Sequence, residues 1–327
     1  MSVATQLDIM VEKGKFLTGG CSFTAHNQSE HRSWAWQLGD EYDVINSAQM
    51  GSGNQIICDR ICYELSKKEV RKSISAVLVM WSSPFRKEFL FTCEDPAWRN
   101  IYSELNGKPT FTNYMRNDRD GHEPRSTHGM SNWLIVGGGF GVWNFGVDSL
   151  NRRIKSYFEN NFTKDQSYVD MCRAMVTVQS LCKSMDIPLI NMGWQNLFHD
   201  MHISDPDRRH PTERSMLERV QATSGWVAWR FWDNQDTTKR KKVDLTQEYA
   251  DHRIDKKYPD CKHWYDLIDW NTWLFYENDS VQMGGMQEFR VWEGKELEKD
   301  LHIHPSDESQ KMWKEFVKEE LKRRELL

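Results

Sequence analysis

The run AVLVMW (76–81), inside SISAVLVMWSS (73–83), carries no charged side chain over six consecutive positions. A strand with one wet face alternates apolar and polar residues, because successive side chains point to opposite sides. An unbroken apolar run of strand length therefore predicts a strand buried on both faces. Such strands belong to parallel sheets with helices on either side. This one segment restricts the chain to an α/β sandwich. The surrounding sequence agrees. KFLTGG (15–20), YDVINSA (42–48) and IPLINMG (187–193) read as three further strands. Helical patterns lie between them. SEHRSWAWQLG (29–39) predicts a helix capped by Ser29, and QIICDRICYELSKK (55–68) puts Ile57, Ile61 and Leu65 on one face. DQSYVDMCRAMVTVQSLCKSMD (165–186) does the same with Cys172, Met175, Val176 and Cys182. A last helix is expected over 307–325, capped by Ser306, with Met312, Trp313, Phe316, Val317 and Leu321 as its apolar face. The expected fold is a three-layer, flavodoxin-like α/β domain around a parallel sheet. It spans 1–327 as one domain with two large insertions, at 91–164 and 197–295, where no sustained period is visible.

Composition removes several classes of function. The net charge of −5 leaves no basic footprint, so no nucleic-acid partner is expected. No segment approaches the ~18 continuous apolar residues of a membrane helix, so no membrane partner is expected. MSVATQLDIMVEKGK lacks a basic start followed by an apolar run, and cytoplasmic synthesis is the expectation. Seven cysteines, at 21, 58, 62, 93, 172, 182 and 261, include no CxxC pair and read as free thiols in a reducing compartment. The tryptophans between 226 and 313 read as core. FHDMHISDPDRRH (198–210) holds His199, Asp200, His202, Asp205, Asp207 and His210, but their spacing fits no metal template, so no metal is expected. GGGFG (137–141) lacks the third glycine of a dinucleotide loop, with Val142 in its place, and no cofactor is expected. Arg86 and Glu88 are expected as an ion pair at the rim.

In open parallel sheets, sites form outside the carboxyl ends of the strands. Three of the four ends here carry distinctive residues: Gly20-Cys21-Ser22, Gly51-Ser52-Gly53-Asn54 and Trp81-Ser82-Ser83. Ser22 is either a turn or capping serine or a nucleophile. A serine nucleophile needs a base to take its proton and donors aimed at the oxyanion. Gly51, Gly53 and Asn54 are candidate donors. Asp300, His302 and His304, in KDLHIHPS (299–306), are candidates for the base and its partner.

GCSFT (20–24), GSGN (51–54) and DLHIHPS (300–306), in this order, resemble the SGNH (GDSL-type) serine hydrolases, and most closely the divergent members found in phage genomes. The resemblance covers the scaffold, residues 15–90, 165–195 and 296–325, and leaves out the insertions. It implies Ser22 as nucleophile and an oxyanion hole built from its N–H, a Gly51 or Gly53 N–H and the Asn54 side chain. A C-terminal histidine would be the base, His304 before Pro305 or else His302, held by Asp300. It implies cleavage of acyl or acetyl esters, without cofactor or metal. The Trp-rich insertion at 197–295 would shape the pocket, and because aromatic rings suit a sugar face, an acetylated glycan is the first expected substrate, with a small-molecule ester as the other. The chain departs from the family pattern at Cys21, where the family has Asp. Its Asn follows the second strand rather than the third, and Asp300 stands two and four residues before the histidines instead of three. The alternative expectation is an inactive SGNH scaffold serving as a virion structural or self-assembling protein. Acyl transfer to a sugar by the same residues is a third.

Overall fold

The computed structural model describes residues 14–28, 31–92, 131–136, 152–153, 156–157, 160–200, 252–278, 281–293 and 305–327. The four expected strands form one all-parallel sheet. They are β1 (Lys15–Gly19), β2 (Asp43–Asn46), β3 (Ala76–Trp81) and β4 (Leu189–Gly193), in the order β2-β1-β3-β4. Leu17 stands beside Ile45 on one side and Val77 on the other, and Trp81 pairs with Gly193. All six residues of β3 are fully buried, as the apolar run requires of a central strand.

The chain goes outward from β1 to β2, then back across β1 to β3 and on to β4. Because parallel crossovers are right-handed, the reversal puts the first crossover on one face and the later two on the other. The helix pairs follow this division. On one face α3 (Asn54–Ser66) packs against α4 (Lys164–Ser184). On the other, α2 (Trp34–Leu38) packs against the C-terminal α6 (Asp307–Arg323). A four-residue helix, α1 (Ser22–Ala25), follows β1 directly, and α5 (Met286–Trp292) precedes α6 in the chain. The layout is compatible with a flavodoxin-like sandwich. The N-termini of α4 and α6 carry side-chain caps: Thr163 accepts from Gln166 N–H, and Ser306, the expected cap, accepts from Ser309 N–H. Trp313, Val317 and Leu321 of α6 are fully buried, with Met312 and Phe316 packed beside them.

Three features differ from the sequence reading. Helix α2 is shorter than 29–39, because Asn27–Gln28 and His31–Arg32 pair as a small antiparallel ladder ahead of it. Ser33 stands at its start, but its hydroxyl donates to Thr24 O at 2.7 Å. Secondly, the first insertion is not without regular structure. Lys87–Thr92 and Ser131–Val136 form an antiparallel ladder from Lys87↔Val136 to Thr92↔Ser131. Thirdly, residues 252–278 and 281–293 of the second insertion belong to the scaffold. Ile254, Cys261, Tyr265, Trp273, Tyr276, Met286 and Phe289 are buried in the same core as the sheet. Trp273 bridges to Asn191, and Leu274 N–H donates to Asn191 O at 2.8 Å, so this return segment covers the outer edge of β4.

Candidate active site at the carboxyl edge of the sheet

The carboxyl ends of β1, β2 and β3 meet on one edge, and backbone bonds fix their loops to each other. Ser47 N–H donates to Thr18 O, and Gln49 N–H donates to Gly20 O at 3.0 Å. Ser22 is the first residue of α1, immediately past the end of β1. It is 7% exposed, and among the described residues its hydroxyl makes no hydrogen bond. Its N–H, in the first turn of a helix, has no intrahelical acceptor. Phe23 turns inward and packs edge-on against Trp194, just past β4, with ring centroids 5.3 Å apart.

The GSGN segment is the loop and start of α3, and each residue has a distinct task. Gly51 has φ 80°, a left-handed conformation that favours glycine. Its N–H is engaged by no described residue. The Ser52 carbonyl accepts from Arg86 Nη1 at 2.9 Å. A Cβ at Gly53 would stand 2.7 Å from the Glu88 carboxyl, so only glycine admits that group. Asn54 is clamped to the end of β3. Ser82 N–H donates to its Oδ1 at 2.8 Å, while its Nδ2 donates to Ser82 O at 3.0 Å and Ser83 O at 3.4 Å. The amide expected to face an oxyanion is thus committed to the sheet, and the N–H groups of Ser22 and Gly51 are the donors left open.

Arg86 and Glu88 attract one another as expected, but Arg86 is not at an exposed rim. Arg86 is 7% exposed, and Glu88 lays its carboxylate across the N-terminus of α3, accepting from Gln55 N–H at 3.1 Å and Ile56 N–H at 3.2 Å. Burial pushes this carboxyl from its ordinary value of 4.5 up to about 7, against the opposing pull of the Ile56, Gln55 and Gly53 N–H groups and of Arg86. Glu88 is therefore the capping acid of α3. Nothing local in the sequence marks it, because it lies over thirty residues from the helix N-terminus it caps.

The β4 end is also polar and buried. Glu288 of α5 accepts from Gly285 N–H at 2.8 Å and from Asn196 N–H at 3.1 Å, and burial raises its pKa. His199 is kept neutral by burial, its pKa pushed down to about 3, with Nδ1 3.1 Å from Asn196 Oδ1. Burial alone would raise the Asp200 pKa, but Lys164, Lys257 and the Tyr258 hydroxyl bind the carboxylate and hold it at about 2. These two residues of the expected polar loop are structural. His202, Asp205, Asp207 and His210 lie outside the described residues, as does GGGFG. No group of three metal-ligating side chains occurs among the described residues. The described tryptophans Trp270 and Trp273 pack around Phe198, with centroids 4.9 and 4.7 Å from it. Trp273 is buried in the core and the half-buried Trp270 packs against it. Ser52 Oγ, Ser82 Oγ and Trp194 Nε1 are buried at this edge without a hydrogen-bond partner among the described residues.

Asp300, His302 and His304 lie outside the described residues. The start of α6, which follows them, does not. Asp307 Oδ1 accepts from Arg32 N–H at 2.7 Å, and Gln310 Oε1 accepts from Trp34 N–H at 2.9 Å. Ser33 in turn is bonded to Thr24 and His26 of the α1 segment. The α6 start is thus docked on the segment that carries Ser22. A scan against protein-family models and a search of curated proteins found no match for this chain. No helix among the described residues is long and apolar enough to cross a membrane.

Proposed function

We propose that the protein is a serine esterase of SGNH type that cleaves acyl esters, with acetylated glycans as the first substrate class to test. The observation that carries this reading is Ser22 itself. Among the described residues its hydroxyl has no partner, it stands at the carboxyl end of β1, and its N–H and that of Gly51 are engaged by no described residue. The docking of the α6 start on residues 32–34 supports a base delivered from just before Pro305.

In this reading His304, or else His302, takes the Ser22 proton while Oγ attacks the ester carbonyl carbon, and Asp300 orients the ring. The N–H groups of Ser22 and Gly51 stabilise the oxyanion, and Asn54 acts by fixing the β3 end. The histidine returns the proton to the leaving alcohol, and water then releases the acid from Ser22. The competing reading, an inactive scaffold with a structural role, is favoured by the commitment of Asn54 to the sheet and by the low exposure of Ser22.

Hydrolysis of p-nitrophenyl acetate by wild type, Ser22→Ala, His302→Ala and His304→Ala separates the two. Turnover abolished in Ser22→Ala and in one histidine variant supports the esterase. Turnover equal in all four proteins favours the inactive scaffold.

A further inference from the structure

The core also contains a pair of chemically competent side chains that the proposed reaction does not use. Cys172, in the middle of α4, and Cys261, in the helix Pro259–Tyr265, are both fully buried, with their sulfur atoms 3.7 Å apart. We propose that Cys172 and Cys261 join as a disulfide when the chain folds in the presence of a low-molecular-weight disulfide, locking the returning arm of the second insertion onto α4. A disulfide requires sulfurs about 2 Å apart and Cβ atoms about 4 Å apart. The sulfurs here must close by less than 2 Å.

The surrounding contacts fix the two helices on either side of the pair. One turn before Cys172, Tyr168 stacks on Tyr258 with centroids 5.0 Å apart. Two turns after it, Gln179 donates to Leu267 O at 3.0 Å and accepts from Asp269 N–H at 2.7 Å. The sulfurs are therefore held face to face in the reduced protein. Cys58 and Cys62 share α3 but stand on successive turns, where Cβ atoms are about 5–6 Å apart, too wide for a bond without unwinding the helix.

The chemistry is two successive exchanges. One cysteine thiolate attacks the low-molecular-weight disulfide, forms a mixed disulfide and releases one thiol. The second cysteine sulfur displaces the remaining thiol, so that two cysteine thiols are oxidised and one small disulfide is reduced to two thiols. The hydrogen bond with Cys261, together with burial, raises the Cys172 pKa and keeps the thiol protonated in the folded chain. The reaction therefore proceeds while the Pro259–Tyr265 helix is undocked, during folding or local opening. The closed loop contains β4 and its carboxyl-edge segment 194–200, as well as residues 201–251.

The test is to refold the full chain in a reduced/oxidised glutathione mixture and, in parallel, under reductant, then digest both without reduction and map cysteines by mass spectrometry. The expected product is a Cys172–Cys261 cross-linked peptide, with a melting temperature raised on the order of 10 °C over the reduced chain. Cys261→Ser, close in size to the native residue, should lose both. If it fails to fold, native wild type held with oxidised glutathione should still lose these two thiols slowly and together. Recovery of both as free thiols in the refolded and the native samples overturns the proposal, as does glutathione on Cys62 in their place.

Discussion

Asn54 divides a structural role from a catalytic one. Its side chain satisfies a buried N–H and two carbonyls at the end of β3. Truncation leaves the Ser82 N–H buried and unpaired, so Asn54→Ala should cost about 2–3 kcal/mol in a denaturant titration. An oxyanion donor with no structural duty would instead lower turnover while leaving the denaturation midpoint in place. Glu88 gives a second residue-level prediction. With its pKa raised to about 7, the folded chain holds a proton that the unfolded chain releases near pH 4.5. Its contribution is therefore greatest below pH 4.5 and is lost as pH rises through 7. Glu88→Gln should flatten this fall, which is on the order of 2 kcal/mol, in unfolding titrations at pH 5 and pH 7.5. Identical pH dependence in wild type and variant would contradict the assignment. The sequence marked Asn54 as a site residue because of its motif, but its actual partners are over twenty-five residues away. The same distance hid the role of Glu88.

At the scale of elements, local patterns were legible and long-range pairings were not. Helix α6 has a cap, an apolar stripe and no distant requirement, and it forms over Asp307–Arg323 close to the expected 307–325. Its central side chain, Trp313, is fully buried and packs edge-on against Phe289 of α5 with centroids 5.2 Å apart. Trp313→Ala should destabilise the fold by about 3–5 kcal/mol, read as a lowered denaturation midpoint. A loss below about 1 kcal/mol would mean that α6 is not fixed to the core as described. Helix α2 and the Lys87–Thr92 ladder were misread for one reason. Each depends on a partner strand whose pairing leaves no period in the sequence around it.

For the whole molecule, four apolar runs and the helices between them were enough to read a parallel α/β sheet. The fold physics then brings the ends of those strands to one edge, which is why Ser22 and GSGN could be expected near each other. Residues 252–278 and 281–293 escaped that reading because they pack through scattered aromatic contacts and cover the β4 edge without a strand of clear period. The candidate site was legible where it rests on strand ends and motifs, and not where a side chain's partner had to come from the tertiary structure. The central proposal is an activated Ser22, and fluorophosphonate labelling with mass-spectrometric site mapping tests it most directly. The expected result is label on Ser22 in the folded chain, lost in Ser22→Ala and sharply reduced when the active histidine is replaced. A folded chain in which Ser22 remains unlabelled would contradict the esterase and leave this sheet edge as a structural scaffold.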